Sequence, residues 1–269
     1  MDDMLIAEEI SSYFSGYEQV QAVTMGGSRA TMTTDKSSDI DIYVFTTDAI
    51  PLEEREKIMQ KRGATRSNLN LQFWDPGDEW FDARSGIEID VMYWDVNWIR
   101  SMLDNVLVHQ QASMGYTTCF WRTIQKAIPL FDRSGWFKAL QESAMVPYPE
   151  RLRSEIISKN FSVLRQVIPS YLVQIEKAVQ RNDLVSVNHR LAAFLASYFD
   201  VLFATNRVLH PGEKRLLSFA KENCTSLPQD MELQITAALQ AAGDGSTLLD
   251  VLNKLVDNLE NMLRLTESI

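Results

Sequence analysis

Two aspartates, Asp39 and Asp41, flank Ile40 at the start of an apolar run, and ten residues separate them from Gly27-Ser28. A third, Asp90, stands inside Glu88-Ile89-Asp90-Val91-Met92-Tyr93. Side chains alternate along a strand, so Asp39, Asp41 and Tyr43 share one face while Ile40, Ile42 and Val44 take the other. Asp90, from a neighbouring strand, would close a three-carboxylate cluster. Three adjacent carboxylates repel one another and raise at least one pKa unless cations sit among them. Magnesium is held by one or two carboxylates together with substrate phosphates. Two such ions about 3.5–4 Å apart can hold both the attacking and the leaving oxygen. The set suits metal-dependent transfer of a nucleotidyl group, which asks a protein mainly for positioning and charge neutralisation.

The turn before the aspartates suits the other half of that chemistry. Gly26 and Gly27 permit backbone conformations closed to other residues and close approach of a ligand. Ser28 offers a hydroxyl and can begin a short helix at Arg29, whose first N–H groups would face an anion. Arg29 and Lys36 are candidates for added positive charge.

These residues need a sheet to hold them, and the pattern supplies one. Residues 5–17 have helical spacing (Leu5, Ile6, Ile10, Tyr13, Phe14) and Gly16 as a stop. Val20–Met25, Ile40–Phe45, Leu69–Trp74 and Ile87–Trp94 read as strands, the third broken by Asp75-Pro76-Gly77-Asp78. Pro51–Arg62 reads as a charged helix, and Asp95 can cap a helix from Val96. Leu130–Gly135 looks like a last short strand and turn. The acids around Asp75, Asp78 and Glu79 read as a solvated turn.

After Pro147-Tyr148-Pro149 the texture becomes helical. Leu152, Ile156, Phe161, Leu164, Ile168, Leu172, Ile175 and Val179 form one stripe, with a kink expected at Pro169. Further helices are expected over 184–209, from Pro211-Gly212-Glu213 onward, and over 248–265. The expectation is an α+β chain, with a mixed-sheet domain over 1–146 and an all-α bundle over 147–269.

Composition limits the partners. The chain has 269 residues, 45% hydrophobic and 23% charged, which suits packed domains rather than disorder. Its net charge of −10 disfavours long nucleic acid and would draw in a cationic small molecule. No apolar run approaches the roughly 18 residues of a membrane span. The acidic start lacks a secretion signal. Two isolated cysteines, Cys119 and Cys224, fit a reducing cytoplasm. Three scattered histidines show no ligand spacing.

Gly27-Ser28, the gap of ten residues, Asp39-Ile40-Asp41 and the later Asp90 together resemble the nucleotidyltransferase fold of the polymerase-beta superfamily. A small catalytic domain followed by a helical bundle is similar to the aminoglycoside and lincosamide nucleotidyltransferases. The stretch Ala196–Arg207 with His210-Pro211-Gly212-Glu213-Lys214 resembles an uncharacterised bacterial branch of them. The resemblance implies that Asp39, Asp41 and Asp90 hold Mg2+ and that Gly27 and Ser28 grip the triphosphate. It implies attack by a small-molecule hydroxyl on the α-phosphorus of a nucleoside triphosphate, with AMP from ATP the first expectation, and release of pyrophosphate. A carboxylate commonly serves as base, and Glu88 shares the predicted face of Asp90; a surface acid is the competing account. Lys214 can reach toward phosphates as a mobile point charge, against the account of a solvated lysine. Two other outcomes stay open, a protein side chain as acceptor and a nucleotide-binding module without turnover.

Overall fold

The computed structural model describes residues 3–30, 39–73, 75–243 and 247–269, with Ser28 and Ala30 described by their backbone alone. Lys36 and Trp74 lie outside the described residues. The chain forms two compact units, Met1–Asp104 with Thr123–Val146, and Asn105–Arg122 with Pro147–Ile269. Residues 105–122, which the sequence pattern puts with the sheet domain, therefore pack with the helical one.

The first unit is built on a six-stranded sheet. In chain order it contains α1 (Asp3–Phe14), β1 (Val20–Met25), α2 (Gly27–Ala30), β2 (Ile40–Thr46), α3 (Leu52–Arg62), β3 (Ala64–Leu71), β4 (Gly77–Asp82) and β5 (Glu88–Asp95). The start of α4 (Val96–Leu107) and the end of α5 (Cys119–Lys126) follow, then β6 (Ile128–Asp132) and α6 (Trp136–Ala144). The strand order is β3-β4-β5-β2-β1-β6. The β2–β5 pair is parallel and the other pairs are antiparallel.

One sheet face is apolar because every second residue is. Ile40, Ile42 and Val44 of β2 and Ile89 and Val91 of β5 join Ile6, Ile10 and Phe14 of α1 and Ile58 and Met59 of α3 in a single buried cluster. Asp95 caps α4, accepting from the backbone N–H groups of Asn97 and Trp98 at 2.9 and 2.8 Å.

The chain does break between Leu71 and Gly77, but the solvated turn expected around Asp75, Asp78 and Glu79 is corrected. Residues from Gly77 onward form strand β4, and Asp78 is buried rather than solvated. Asp78 accepts from Arg55 Nε and Nη2 at 2.8 and 2.5 Å, and from the Tyr93 hydroxyl at 2.7 Å. Two turns further along α3, Arg62 donates to both Asp82 oxygens at 2.7 and 3.1 Å. Two buried Arg–Asp rungs thus tie α3 to β4. An acid-rich segment can enter a sheet because each inward carboxylate meets a guanidinium fork.

The second unit holds α7 (Glu150–Phe161), α8 (Tyr171–Gln180), α9 (Leu184–Thr205), α10 (Leu216–Asn223), α11 (Met231–Ala241) and α12 (Leu248–Leu265). Pro169 does not kink a continuous helix. The stripe is split by a π turn over Ser162–Gln166, and Ser170 caps a fresh helix. Pro211-Gly212-Glu213 does not open a helix either. Arg215, with φ 56°, precedes α10 at Leu216. Asn206 and Arg207 close off α9: the Asn206 amide donates to Leu202 and Ser226 oxygens, and Arg207 pairs with Glu150.

The interior of this unit contains a polar network. Asp200 accepts from the Thr117 hydroxyl at 2.6 Å, the Thr117 N–H at 3.2 Å and the Asn160 amide at 3.2 Å. Asn160 Oδ1 in turn accepts from the Gly115 N–H at 2.9 Å. Burial pushes the Asp200 carboxyl up to about 7 despite the two bonds from Thr117 that favour its ionised form.

Candidate active site

On the sheet face opposite α1 and α3, the parallel register of β2 and β5 makes Asp41 and Asp90 direct Cα partners. Neighbouring strands lie about 4.8 Å apart, so these residues are side-by-side neighbours. The antiparallel register of β4 and β5 makes Glu79 the partner of Asp90 on its other flank. Asp41, Asp90 and Glu79 therefore lie in one row across three strands. Asp39 stands just before β2. Glu88 is exposed and has Phe81 for a partner, one pleat away from that row.

The row has an electrostatic consequence. Burial pushes the Asp90 carboxyl up to about 7, and Asp41, Glu79, Asp39 and Glu88 add to the shift in that order. Tyr43 is buried two residues beyond Asp41, and the pKa of its hydroxyl is raised by burial and then by Asp41, Asp90, Asp75 and Asp39. Its ring stacks on Trp94 at 4.3 Å and 19°. Tyr43 and Trp94 thus pair across β2 and β5 on the face that carries the acids.

Both glycines of the turn are required by neighbours within the protein. A Cβ on Gly26 would stand 1.9 Å from the Tyr43 ring, and one on Gly27 would stand 1.6 Å from Asp41 Oδ2. Gly27 also has φ +61°, a conformation that L side chains seldom adopt. The Gly26 N–H donates to the Asp41 carbonyl at 2.9 Å. The turn is therefore pressed against the carboxylate. Arg29 Nε donates to the Asp39 carbonyl at 2.6 Å, and the guanidinium also pairs with Asp3. Arg29 thus fixes the Asp39 backbone. The Ser28 side chain lies outside the described atoms. Lys214 is exposed in the segment before α10.

Among the described residues, no group of three or more His, Cys, Asp or Glu side chains stands ready as a metal cage. The donor set nonetheless fits a hard divalent cation. Asp39, Asp41 and Asp90 offer only oxygen, two of them from matched positions on adjacent strands, and Gly27 leaves Asp41 Oδ2 the space a side chain would fill.

Glu79 is the site-facing residue that sequence reading misses. Its place beside Asp-Pro-Gly-Asp suggests a loop. The alternation from Asp78 to Asp82, with Trp80 and Asp82 buried between half-buried Glu79 and Phe81, is the signal that a strand carries it.

Residues 8–78 match the family model described as polymerase beta, nucleotidyltransferase, and residues 121–216 match a domain of unknown function, DUF4037. The first match takes in the Gly27 turn and the Asp39–Asp41 pair and ends before Asp90. The first unit carries a nucleotidyltransferase domain of the polymerase-beta superfamily. Among solved structures, a nucleotidyltransferase-like protein from Exiguobacterium sibiricum is 11% identical with a TM-score of 0.45, over 98% of this chain and 75% of the other. The Thermotoga maritima CCA-adding enzyme, solved with tRNA, is 12% identical with a TM-score of 0.30, over 98% and 81%. No curated protein matches significantly. Among the described residues, no helix is long and apolar enough to cross a membrane.

Proposed function

We propose that this nucleotidyltransferase moves a nucleoside monophosphate, AMP from ATP in the first instance, to a hydroxyl of a small acceptor. The single observation carrying this reading is the row in which Asp41 and Asp90 are register partners, with Gly27 pressed against Asp41. In this reading Asp39, Asp41 and Asp90 hold Mg2+, and the Gly27-Ser28 turn receives the triphosphate through backbone N–H groups. When bound, the metal ion supplies positive charge that offsets the phosphate charge and the mutual repulsion of the carboxylates.

The chain's own residues do the rest. The acceptor oxygen attacks the α-phosphorus in line, the bond to the bridging β-phosphate oxygen breaks, and pyrophosphate leaves. The hydroxyl proton passes to a carboxylate. Glu88 is the candidate read from the sequence, but Glu79 flanks Asp90 directly and is the better placed of the two. Tyr43 and Trp94 stack across the two strands that carry Asp41 and Asp90.

The test supplies α-labelled ATP and Mg2+ with a panel of hydroxyl-bearing small molecules, the cationic ones first because the chain's net charge is −10. Labelled small product together with pyrophosphate supports the reading. Label on protein would turn it toward a protein acceptor, and nucleotide binding without pyrophosphate release on any acceptor would refute transfer.

A further inference from the structure

Arg122 lies on α5, one turn beyond Cys119, in the part of that helix belonging to the second unit. Its Cζ stands 4.9 Å from the centroid of the Phe219 ring. Phe219 meets the edge of Phe203 at 5.6 Å, and Phe203 meets the edge of His210 at 5.0 Å. His210 Nδ1 lies 3.5 Å from Cys119 Sγ, which closes the circuit back to Arg122. The loop leading into α5 is held by the Asp200–Asn160 network, and Thr118 Oγ1 accepts from the His210 N–H at 2.8 Å. The frame is pinned from several sides.

Within this frame the guanidinium has no oxygen partner among the described residues, and it stands over the face of Phe219 near Cys119. Other sheltered arginines are treated differently. Arg55, Arg62, Arg133 and Arg165 each donate to two or more oxygens. Burial pushes the Arg122 guanidinium below its usual pKa, with no carboxylate to offset it. None of its nitrogens is sealed from solvent without a partner, so its donor edge stays reachable. A half-buried fork with five N–H donors and no acceptor among the described residues keeps those donors available to an oxyanion. A second donor in the circuit is also unanswered. The Gly212 N–H donates to His210 Nδ1 at 3.2 Å, which places the imidazole proton on Nε2, and Nε2 is buried without a partner.

We propose that Arg122 is the anion-binding group of the second unit, gripping an oxyanion of a small ligand, phosphate or carboxylate, through its free edge while Phe219 backs its face. Planar, bidentate recognition of such groups is what a guanidinium does and an ammonium does not. The overall charge of −10 opposes a polyanionic chain more strongly than a small anion held at one guanidinium. The inference stands on the second unit alone and does not depend on the metal-site reading of the first.

The full chain is titrated by calorimetry with pyrophosphate and, separately, succinate, in EDTA so that no metal bridges phosphate to the aspartates. The wild type is expected to bind at least one probe. Arg122→Gln should weaken that binding tenfold or more, and Arg122→Lys should recover only part of it. Preference for pyrophosphate would mark a phosphorylated ligand, and preference for succinate a carboxylated one. Titration of the wild type followed by arginine Nε–Hε resonances needs no variant and should move one signal strongly. Equal binding by Arg122→Gln, or wild-type arginine signals that stay still with both probes at millimolar concentration, would overturn the proposal.

Discussion

A Cβ on Gly27 would fall 1.6 Å from Asp41 Oδ2, so the turn and the carboxylate occupy space that only glycine leaves open. Gly27→Ala must displace one or the other, at a φ of +61° that costs alanine about 1–2 kcal/mol. The protein is expected to remain folded, with nucleotidyl transfer reduced by about 100-fold, the penalty typical of a misplacement near 1 Å. Steady-state rates beside a thermal melt measure both halves. Full activity in the variant would show that Asp41 does not act from this position.

Asp41 and Asp90 crowd negative charge on adjacent strands. Asp41→Asn and Asp90→Asn are each expected to abolish metal-dependent pyrophosphate release. Asp90→Asn should not lower the melting temperature measured without metal, because it relieves the repulsion that the neighbouring acids exert on that carboxylate. Pyrophosphate release at the wild-type rate in either variant would refute the assignment of these groups to the metal.

Glu79 and Glu88 separate by register, the first opposite Asp90 and the second opposite Phe81. Glu79→Gln should lower kcat by about 10²–10⁴-fold, the usual range for loss of a general base. Glu88→Gln should stay within a few-fold of wild type. The reverse ranking would return the base to Glu88.

The Arg55–Asp78 rung is buried at both ends, with 7% and 1% exposure. Asp78→Ala leaves the guanidinium, the Tyr93 hydroxyl and the Asn70 N–H without their common acceptor. A loss of about 3–5 kcal/mol is expected on urea unfolding. A loss below about 1 kcal/mol would show that water replaces the carboxylate at little cost.

Asp200 gives the second unit a pH dependence. Its carboxyl titrates near 7 when folded, against an ordinary 3.8. Between those values the folded state binds the extra proton, so stability falls as pH rises. The contribution is fully present below about pH 4 and lost as pH passes through 7; its size is on the order of a few kcal/mol. Urea melts across pH 5–8 should show this decline, and Asp200→Asn should reduce it, leaving the share that Asp90 contributes. An unchanged slope in that variant would place the titration elsewhere.

Much of the fold is local enough to read along the chain. Leu248–Leu265 follows from its heptad-like Leu and Val spacing, and Asp95 reads as a cap because a short acid precedes a helical run. Strand β2 reads from its alternation. Strand β4 does not, because its acids resemble a turn until Arg55 and Arg62, more than 15 residues upstream, are seen to answer them. The helix expected at Pro211 fails for a related reason. Gly212, with φ +104°, and the bond from its N–H to His210 hold that segment in an irregular path. The pairing of residues 105–122 with the helical unit rests on Asn160 and Asp200, which no local pattern announces.

For the candidate site, side-chain alternation alone determines that Asp39 and Asp41 share a face, and the glycine turn is visible in the composition of the loop. That Asp41 faces Asp90, that Glu79 joins them, and that Gly27 yields its space to Asp41 are decided only by tertiary structure. Strand register is a long-range quantity, set by which inward side chains find partners on α3 and in the core, and a single-residue slip would turn every one of these carboxylates to the opposite face.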